Sequence, residues 1–355
     1  MSDTTVMSGE ACFSSWSQLF SDLPKHLQDS YYDWEYVHLY EVPDRTTPML
    51  FVYRDNDKTL LIPFLKHRIT SILGCLLTDP INDIETPYGY GGPLSTTSDV
   101  KFIQNAHSAF LGWARDSKIT AEFVRFHPIL CTERFASVDM AVERIKSTYS
   151  ITIDREVVAL DHFRGTARNR VRGALKNGLF SHEIPIEDGM ESFQKLYLNS
   201  MQRLHAEKFY TFSSEYFERL AKMPQDKLRM LAVSDADGIL SMAIFLKSSK
   251  GMHYHLGANS ERKVHSGSFN LLFCQAVDVA LQEELGFIHL GGGLLSDDSD
   301  SLSRFKRTIS NTSHNYFIGR RVHNLENWRE AQSRLSSEKS PQRTMPRLLE
   351  YHFYP

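Results

Sequence analysis

Residues 251–307 read GMHYHLGANSERKVHSGSFNLLFCQAVDVALQEELGFIHLGGGLLSDDSDSLSRFKR, and their pattern decides the fold. Met252-His253-Tyr254-His255-Leu256 alternates as a half-buried strand does. A polar loop, Ala258 to Ser266, ends at Gly267. Beyond it Phe269, Leu271, Leu272, Ala276, Val279 and Ala280 recur at three- and four-residue spacing, the apolar face of a helix. Gly286 closes that helix, and Phe287-Ile288-His289-Leu290 reads as the next strand. Gly291 to Gly293 end this strand, where backbone turns sharply or comes close to something. Strand, loop, helix and neighbouring strand make a βαβ unit. The loop before its helix suits a phosphate, because free N–H groups and the positive end of the helix dipole point there.

The totals bound what surrounds this unit. The chain has 355 residues, enough for two domains or one large one. It is 41% hydrophobic and 12% aromatic, ample for sizeable cores. A net charge of -3 gives no global basic signal for nucleic acid, so any RNA contact has to come from a local patch. Cys12, Cys75, Cys131 and Cys274 are scattered without metal-like spacing, which fits reduced, mostly buried thiols and implies no metal. No basic-then-apolar leader and no run of about 18 apolar residues is present. A soluble, cytoplasmic protein is expected.

Residues 1–12 are polar and small, the composition of a disordered terminus. Met49 to Tyr53 and Leu60 to Leu65 flank the turn-forming Asp55-Asn56-Asp57 and read as a hairpin; Ile72 to Leu77 reads as another strand. Glu85 to Leu94, ETPYGYGGPL, is a structured loop carrying Tyr88 and Tyr90. Phe102 to Trp113 has helical spacing and Ile119 to Phe126 reads as a strand. A strand starts at Ser150, and Arg164 to Gly178 reads as a helix with Arg168, Arg172 and Lys176 along one face. Two amphipathic helices, a hairpin over Lys227–Lys247, the βαβ unit and a strand at Asn315 to Ile318 follow. Both halves run hairpin, aromatic or glycine loop, helix, strand, which predicts two related α/β domains. Their expected extents are 1–147 and 148–322, with 323–355 as a tail whose Tyr351-His352-Phe353-Tyr354 docks back on a domain.

Taken in order, these pieces resemble the GNAT acyltransferase fold, doubled. The doubled pattern is similar to the Fem-type peptidoglycan-bridge aminoacyltransferases, which are tandem GNAT proteins. The resemblance rests on Thr86 to Leu94, Arg168 to Gly178, Tyr254 to Ala258, His289 to Gly293 and Ser303 to Lys306, spread over roughly residues 50–320. The long helical arm of some members has no counterpart here, which suits a compact type. The resemblance implies a mixed α/β fold of two GNAT-like domains. It also implies transfer of an aminoacyl group from aminoacyl-tRNA to an amine of a cell-wall precursor or another amine-bearing small molecule. No tightly bound cofactor follows; aminoacyl-tRNA or acyl-CoA is the co-substrate. Acetyl-CoA-dependent GNAT proteins carry a loop of the form Gln/Arg-x-x-Gly-x-Gly/Ala. Here that loop reads Arg262-Lys263-Val264-His265-Ser266-Gly267, and His265 stands where the first glycine belongs. A side chain there crowds the phosphate approach. An acyl-CoA N-acyltransferase and a non-catalytic tandem-GNAT scaffold remain the alternatives.

The candidate residues follow from both readings. Arg168, Arg172 and Lys176 offer a diphosphate or tRNA backbone their forked and ammonium donors, or form a solvated helix face. Tyr88 and Tyr90 line an acceptor site between the domains, or stiffen a turn. His253 and His255 share one face of their strand and Tyr254 takes the other. In a GNAT fold this strand flanks the acyl group, so His255 is a candidate proton acceptor, with a satisfied structural histidine as the alternative. Lys306 stands where the resemblance puts a functional lysine, steadying an oxyanion or the tRNA end; the alternative is a surface lysine. Arg203, Lys208 and Tyr210 are candidate acceptor contacts. Arg262, Gly267 and Asn270 are what the loop offers a cofactor phosphate.

Overall fold

The computed structural model describes residues 2–205, 210–263, 267–295, 298–336 and 348–353. The chain divides into two compact units, Met1–Lys146 with Asn315–Pro355, and Ser147–His314. Both are mixed α/β.

The first unit opens with β1 (Ser2–Ser8), antiparallel to β2 (Thr46–Asp55). The expected disorder of residues 1–12 is corrected here. Ladder bonds come from backbone groups, so a polar Ser-Asp-Thr-Thr run serves at a sheet edge. Between these strands lie α1 (Phe13–Ser21) and α2 (Trp34–His38). β2 forms the expected hairpin with β3 (Lys58–Ile72), with Asn56 in the turn at φ 55°. β4 (Cys75–Glu85) returns antiparallel to β3. Residues 72–77 are therefore not one strand. Leu73 and Gly74, both at positive φ, make the turn between two. After the two-residue β5 (Leu94–Ser95), α3 (Val100–Asp116) carries the chain to β6 (Ile119–Arg125), which pairs in parallel with β4.

The second unit repeats that plan. β7 (Ala141–Thr152) enters it, starting well before the expected Ser150. Then come α4 (Gly165–Lys176), β8 (Phe180–Glu183), α5 (Ile186–Arg203) and α6 (Ser214–Ala221). The hairpin β9 (Leu228–Asp235) and β10 (Gly238–Lys247) leads to antiparallel β11 (Gly251–Asn259). α7 (Ser268–Gln282) crosses over to β12 (Phe287–Gly292), parallel to β11, and α8 (Ser301–Ile309) follows. The strand order of this unit is β7-β12-β11-β10-β9-β8.

The chain then returns to the first unit with β13 (Thr312–Val322) and α9 (Leu325–Ser336). Ile318–Val322 pair with Ala121–Arg125 of β6. The expected second domain, closed at 322, ends earlier: residues 315–322 of β13 belong to the first unit, where Ile318–Val322 pair with β6. The cysteine expectation is also corrected. Cys274 is buried, but Cys75 and Cys131 are exposed, one following the β3–β4 turn and one in a left-handed loop position.

Alternation sorts the two faces of the second unit's strands. Leu231, Phe245, Met252, Ile288 and Leu290 pack with Ala167, Val171 and Ala174 of α4 and Leu272, Phe273 and Ala276 of α7. Met230 points to the other face, where Gly189 of α5 packs against its sulfur. Phe245 is fully buried, with its ring edge-on to Phe273 at 6.1 Å between centroids. Truncating it opens a cavity beneath α7 that rigid neighbours cannot fill. Phe245→Ala should lower the unfolding free energy by about 3–5 kcal/mol, read as a shifted denaturant midpoint with an unchanged slope.

Candidate functional site

The opening βαβ unit builds an opening between two strands. β11 and β12 pair in parallel over Gly251–His253 against Phe287–His289. Beyond that, β11 stays on β10 through Asn259, whereas β12 stays on β7 through Gly292. No ladder pair joins 254–259 to 290–292 among the described residues. Parallel strands that part in this way leave a cleft between their edges. Tyr254 and Lys306 stand at its mouth, with the Lys306 ammonium 5.8 Å from the centroid of the Tyr254 ring.

Local sequence explains how Lys306 gets there. The Asp300 carboxylate accepts the Leu302 and Ser303 amides and so starts α8. Its other oxygen accepts the Ser303 hydroxyl at 2.8 Å and the Leu295 amide at 3.3 Å. Partial burial alone would raise this carboxyl; hydrogen bonds from Ser303, Leu294 and Leu295 outweigh it and hold the group well below the usual carboxylate range. The cap presses against Gly293, where a Cβ would lie 1.8 Å from the Ser303 hydroxyl oxygen and 2.3 Å from Asp300. Only glycine fits there. One turn further on, Lys306 is 6% exposed and donates to the Gly292 carbonyl at 2.7 Å. The surface-lysine alternative for this residue is excluded by its burial. Asp300 and Ser303 were missed as positioning groups, although an Asp directly before a Ser-Leu-Ser-Arg-Phe helix start is a readable cap.

Tyr254 and His255 do face opposite ways. Tyr254 packs against Phe245, Phe269 and Phe273, and burial pushes its phenol well above the ordinary value. His255 is buried on the other face, its Nε2 hydrogen-bonded to the Tyr216 hydroxyl of α6. Burial, with a smaller contribution from His253, lowers the His255 pKa to about 3. His253 in turn meets His289 of β12, Nδ1 to Nδ1 at 3.4 Å. The structure therefore brings Lys306 to Tyr254, but it places His255 on the far side of the strand. Tyr216 lay outside the sequence reading, since nothing in its own stretch marks it.

The basic helix and the α7 loop come together. A Cβ on Gly267, the α7 N-cap at φ 75°, would lie 2.9 Å from the Arg170 carbonyl of α4. No side chain caps α7. Asn270 sits in its first turn, 2% exposed, with its Nδ2 lacking a hydrogen bond. Along α4 the three predicted cations separate. Arg168 turns back on its own loop, donating from Nε to the Phe163 carbonyl at 2.8 Å and pairing with Asp161 at 3.2 Å. Arg172 and Lys176 are exposed, with no acidic partner among the described residues. Lys208 and His265 lie outside the described residues.

The other candidates are held elsewhere. Arg203, ending α5, donates to the Asn259 carbonyl at 3.0 Å and approaches Glu261 at 3.6 Å. The Tyr210 carbonyl accepts the Tyr197 hydroxyl at 2.7 Å. Arg262 pairs with Asp235 at 3.2 Å and Asp237 at 3.6 Å, which braces the β9–β10 turn. In the first unit the Tyr88 carbonyl accepts the Tyr36 hydroxyl. Tyr90 sits edge-on to Tyr31, Tyr316 and His127 at 5.4–6.0 Å. Both tyrosines remain half-exposed in this aromatic cluster.

No protein-family model matches the sequence, and no curated protein matches it. Solved structures do. FemX superposes with a TM-score of 0.68 at 12% identity, over 92% of this chain and 99% of its own. A tandem GNAT protein from the clavulanic acid biosynthesis pathway, solved without AcCoA, superposes with a TM-score of 0.53 at 10% identity, over 91% of this chain and 99% of its own. At such identities the likeness speaks for the fold. Two units, each an antiparallel hairpin, a third strand, a crossover helix and a parallel strand, give this chain a Fem-like tandem GNAT fold.

Proposed function

We propose that the chain is a Fem-like acyltransferase that moves an aminoacyl group from aminoacyl-tRNA to an amine, such as that of a peptidoglycan precursor. The observation that carries this reading is the buried Lys306 ammonium, fixed on the Gly292 carbonyl beside Tyr254 where β11 and β12 part. Attack of an amine nitrogen on an ester carbonyl forms the C–N bond and drives negative charge onto the carbonyl oxygen. A preorganised cation in a site shielded from water stabilises that oxygen. Collapse then breaks the C–O bond, and the departing ribose oxygen takes the proton released by the amine. His255 is assigned a structural role: an imidazole with a pKa near 3, on the opposite face from Lys306, is a poor base at neutral pH. Arg172 and Lys176 are exposed on α4, whose Arg170 carbonyl lies against the uncapped start of α7, and they suit the donor's phosphates. No helix among the described residues is long and apolar enough to cross a membrane.

Acyl-CoA is the alternative donor, favoured by the same uncapped helix start, and a binding scaffold without turnover is the other alternative. Heating the protein with aminoacyl-tRNA, acyl-CoA esters and a UDP-linked muropeptide separates them. A ligand that binds only the folded state raises the melting temperature. Stabilisation by charged tRNA and muropeptide, with none from CoA esters, is expected; the reverse pattern overturns the donor assignment.

Lys306→Met should lower kcat by about 10²–10³ with KM little changed, since the cation acts on charge that develops in the transition state. Equal turnover in the variant would remove Lys306 from the mechanism. Arg172→Glu with Lys176→Glu should instead raise KM for the donor and flatten its salt dependence.

His255 makes a separate prediction. Between its ordinary 6.5 and about 3, the unfolded chain binds a proton there that the folded chain refuses. Stability is therefore full above pH 6.5 and falls on acidification, by up to about 1.4 kcal/mol per pH unit. Urea unfolding at pH 7, 6 and 5 should show this slope in the wild type and a shallower one in His255→Gln.

A further inference from the structure

A second cluster of reactive side chains stands in the first unit, where the C-terminal residues meet β3 and β4. His67 of β3, Glu85 at the end of β4 and His352 each offer one ligand atom, and these atoms lie within 4.8 Å of one another. Atoms that close leave a point within about 2.8 Å of all three, against about 2.1 Å for zinc bonded to imidazole or carboxylate. Movements of well under 1 Å would close the set.

The surroundings are those of a prepared site. His67 Nε2 is buried and lies 3.2 Å from Glu85 Oε1. Its Nδ1 lies 3.1 Å from the buried Thr46 hydroxyl, which fixes the ring. The second oxygen of Glu85 is engaged by Arg125 at 2.9 Å, so Oε1 is the one left to face the histidines. His352 Nε2 meets the fully buried Asp83 at 2.9 Å. That carboxylate also accepts the Tyr351 hydroxyl at 2.7 Å and the Ala121 amide at 2.9 Å. Outer partners that orient ligating imidazoles and carboxylates in this way are the usual support of a metal centre.

We propose that His67, Glu85 and His352 bind a divalent transition-metal ion, with Zn²⁺ as its best match, and that the ion fastens the C-terminal residues to β3 and β4. Two imidazoles and one carboxylate suit zinc-type ions rather than Ca²⁺ or Mg²⁺, which take oxygen ligands. Without a metal, the same residues stand as a network of polar contacts, His67 with Glu85 and His352 with Asp83. The two states differ in a measurable way.

Metal-free full-length protein would be titrated with ZnCl₂ by calorimetry, alongside His67→Gln, His352→Gln and a control, His26→Gln, at an exposed histidine outside the cluster. One saturable site is expected, weakened at least tenfold by either cluster substitution and unchanged in the control. In the wild type alone, Zn²⁺ should also slow proteolytic removal of the C-terminal residues. Melting of the metal-free variants shows whether they fold. Should His67→Gln fail to fold, His352→Gln decides the question from the terminal segment. Absence of a saturable site, or binding that neither substitution weakens, overturns the proposal.

Discussion

Two parallel strands cannot be joined by a tight turn. The chain must leave the sheet, cross one of its faces and come back, and a helix is the compact way to do so. This constraint is met twice, by α3 between β4 and β6 and by α7 between β11 and β12. In each unit the strand before the helix belongs to an antiparallel hairpin system while the strand after it takes a different neighbour. In the second unit those loyalties pull apart: β11 follows β10 and β12 follows β7, so the parallel ladder ends after His253 and His289. The cleft results from competing strand pairings rather than from a missing side chain.

What fills the mouth of that cleft depends on a short series of local contacts. Gly293 must lack a Cβ so that Asp300 and Ser303 can close on it; the closed cap starts α8; and α8 presents Lys306 a turn later to the Gly292 carbonyl. Each step lies within fifteen residues. That is why the glycine run, ambiguous as a motif, has a definite meaning in the fold: close approach, not flexibility.

Much of this was legible because its signals are local. Alternation revealed the hairpins and β11, three- and four-residue spacing revealed α3 and α7, and the order of these elements pointed to a doubled GNAT-like plan. The illegible parts depend on pairing between distant segments. β13 joins β6 across almost two hundred residues, so its unit could not be read from chain order. Polar residues 2–8 form a strand because β2 offers a free edge. The site reading blurred for the same reason. Arg168 has the right spacing on its helix face, yet its own preceding loop, with Asp161 and the Phe163 carbonyl, claims it. His67, Glu85 and His352 share no motif at all; only the return of the C-terminal residues to β3 brings them together.

Burial has opposite consequences for the two residues first singled out as catalytic. For His255, transfer from water penalises the protonated imidazole, and the hydroxyl of Tyr216 bonds a ring that stays neutral. Low dielectric therefore removes the basicity a proton acceptor needs. For Lys306, the same surroundings strengthen any interaction its ammonium makes, because charges attract more strongly where water does not screen them. The Gly292 carbonyl and the face of Tyr254 offset part of the cost of burying that ammonium. On the proposed reaction, the site invests in a fixed positive charge and leaves proton transfer to the substrates. This division suits an activated ester, whose leaving oxygen can accept the proton its own displacement releases, and whose barrier lies in the charge that builds on the carbonyl.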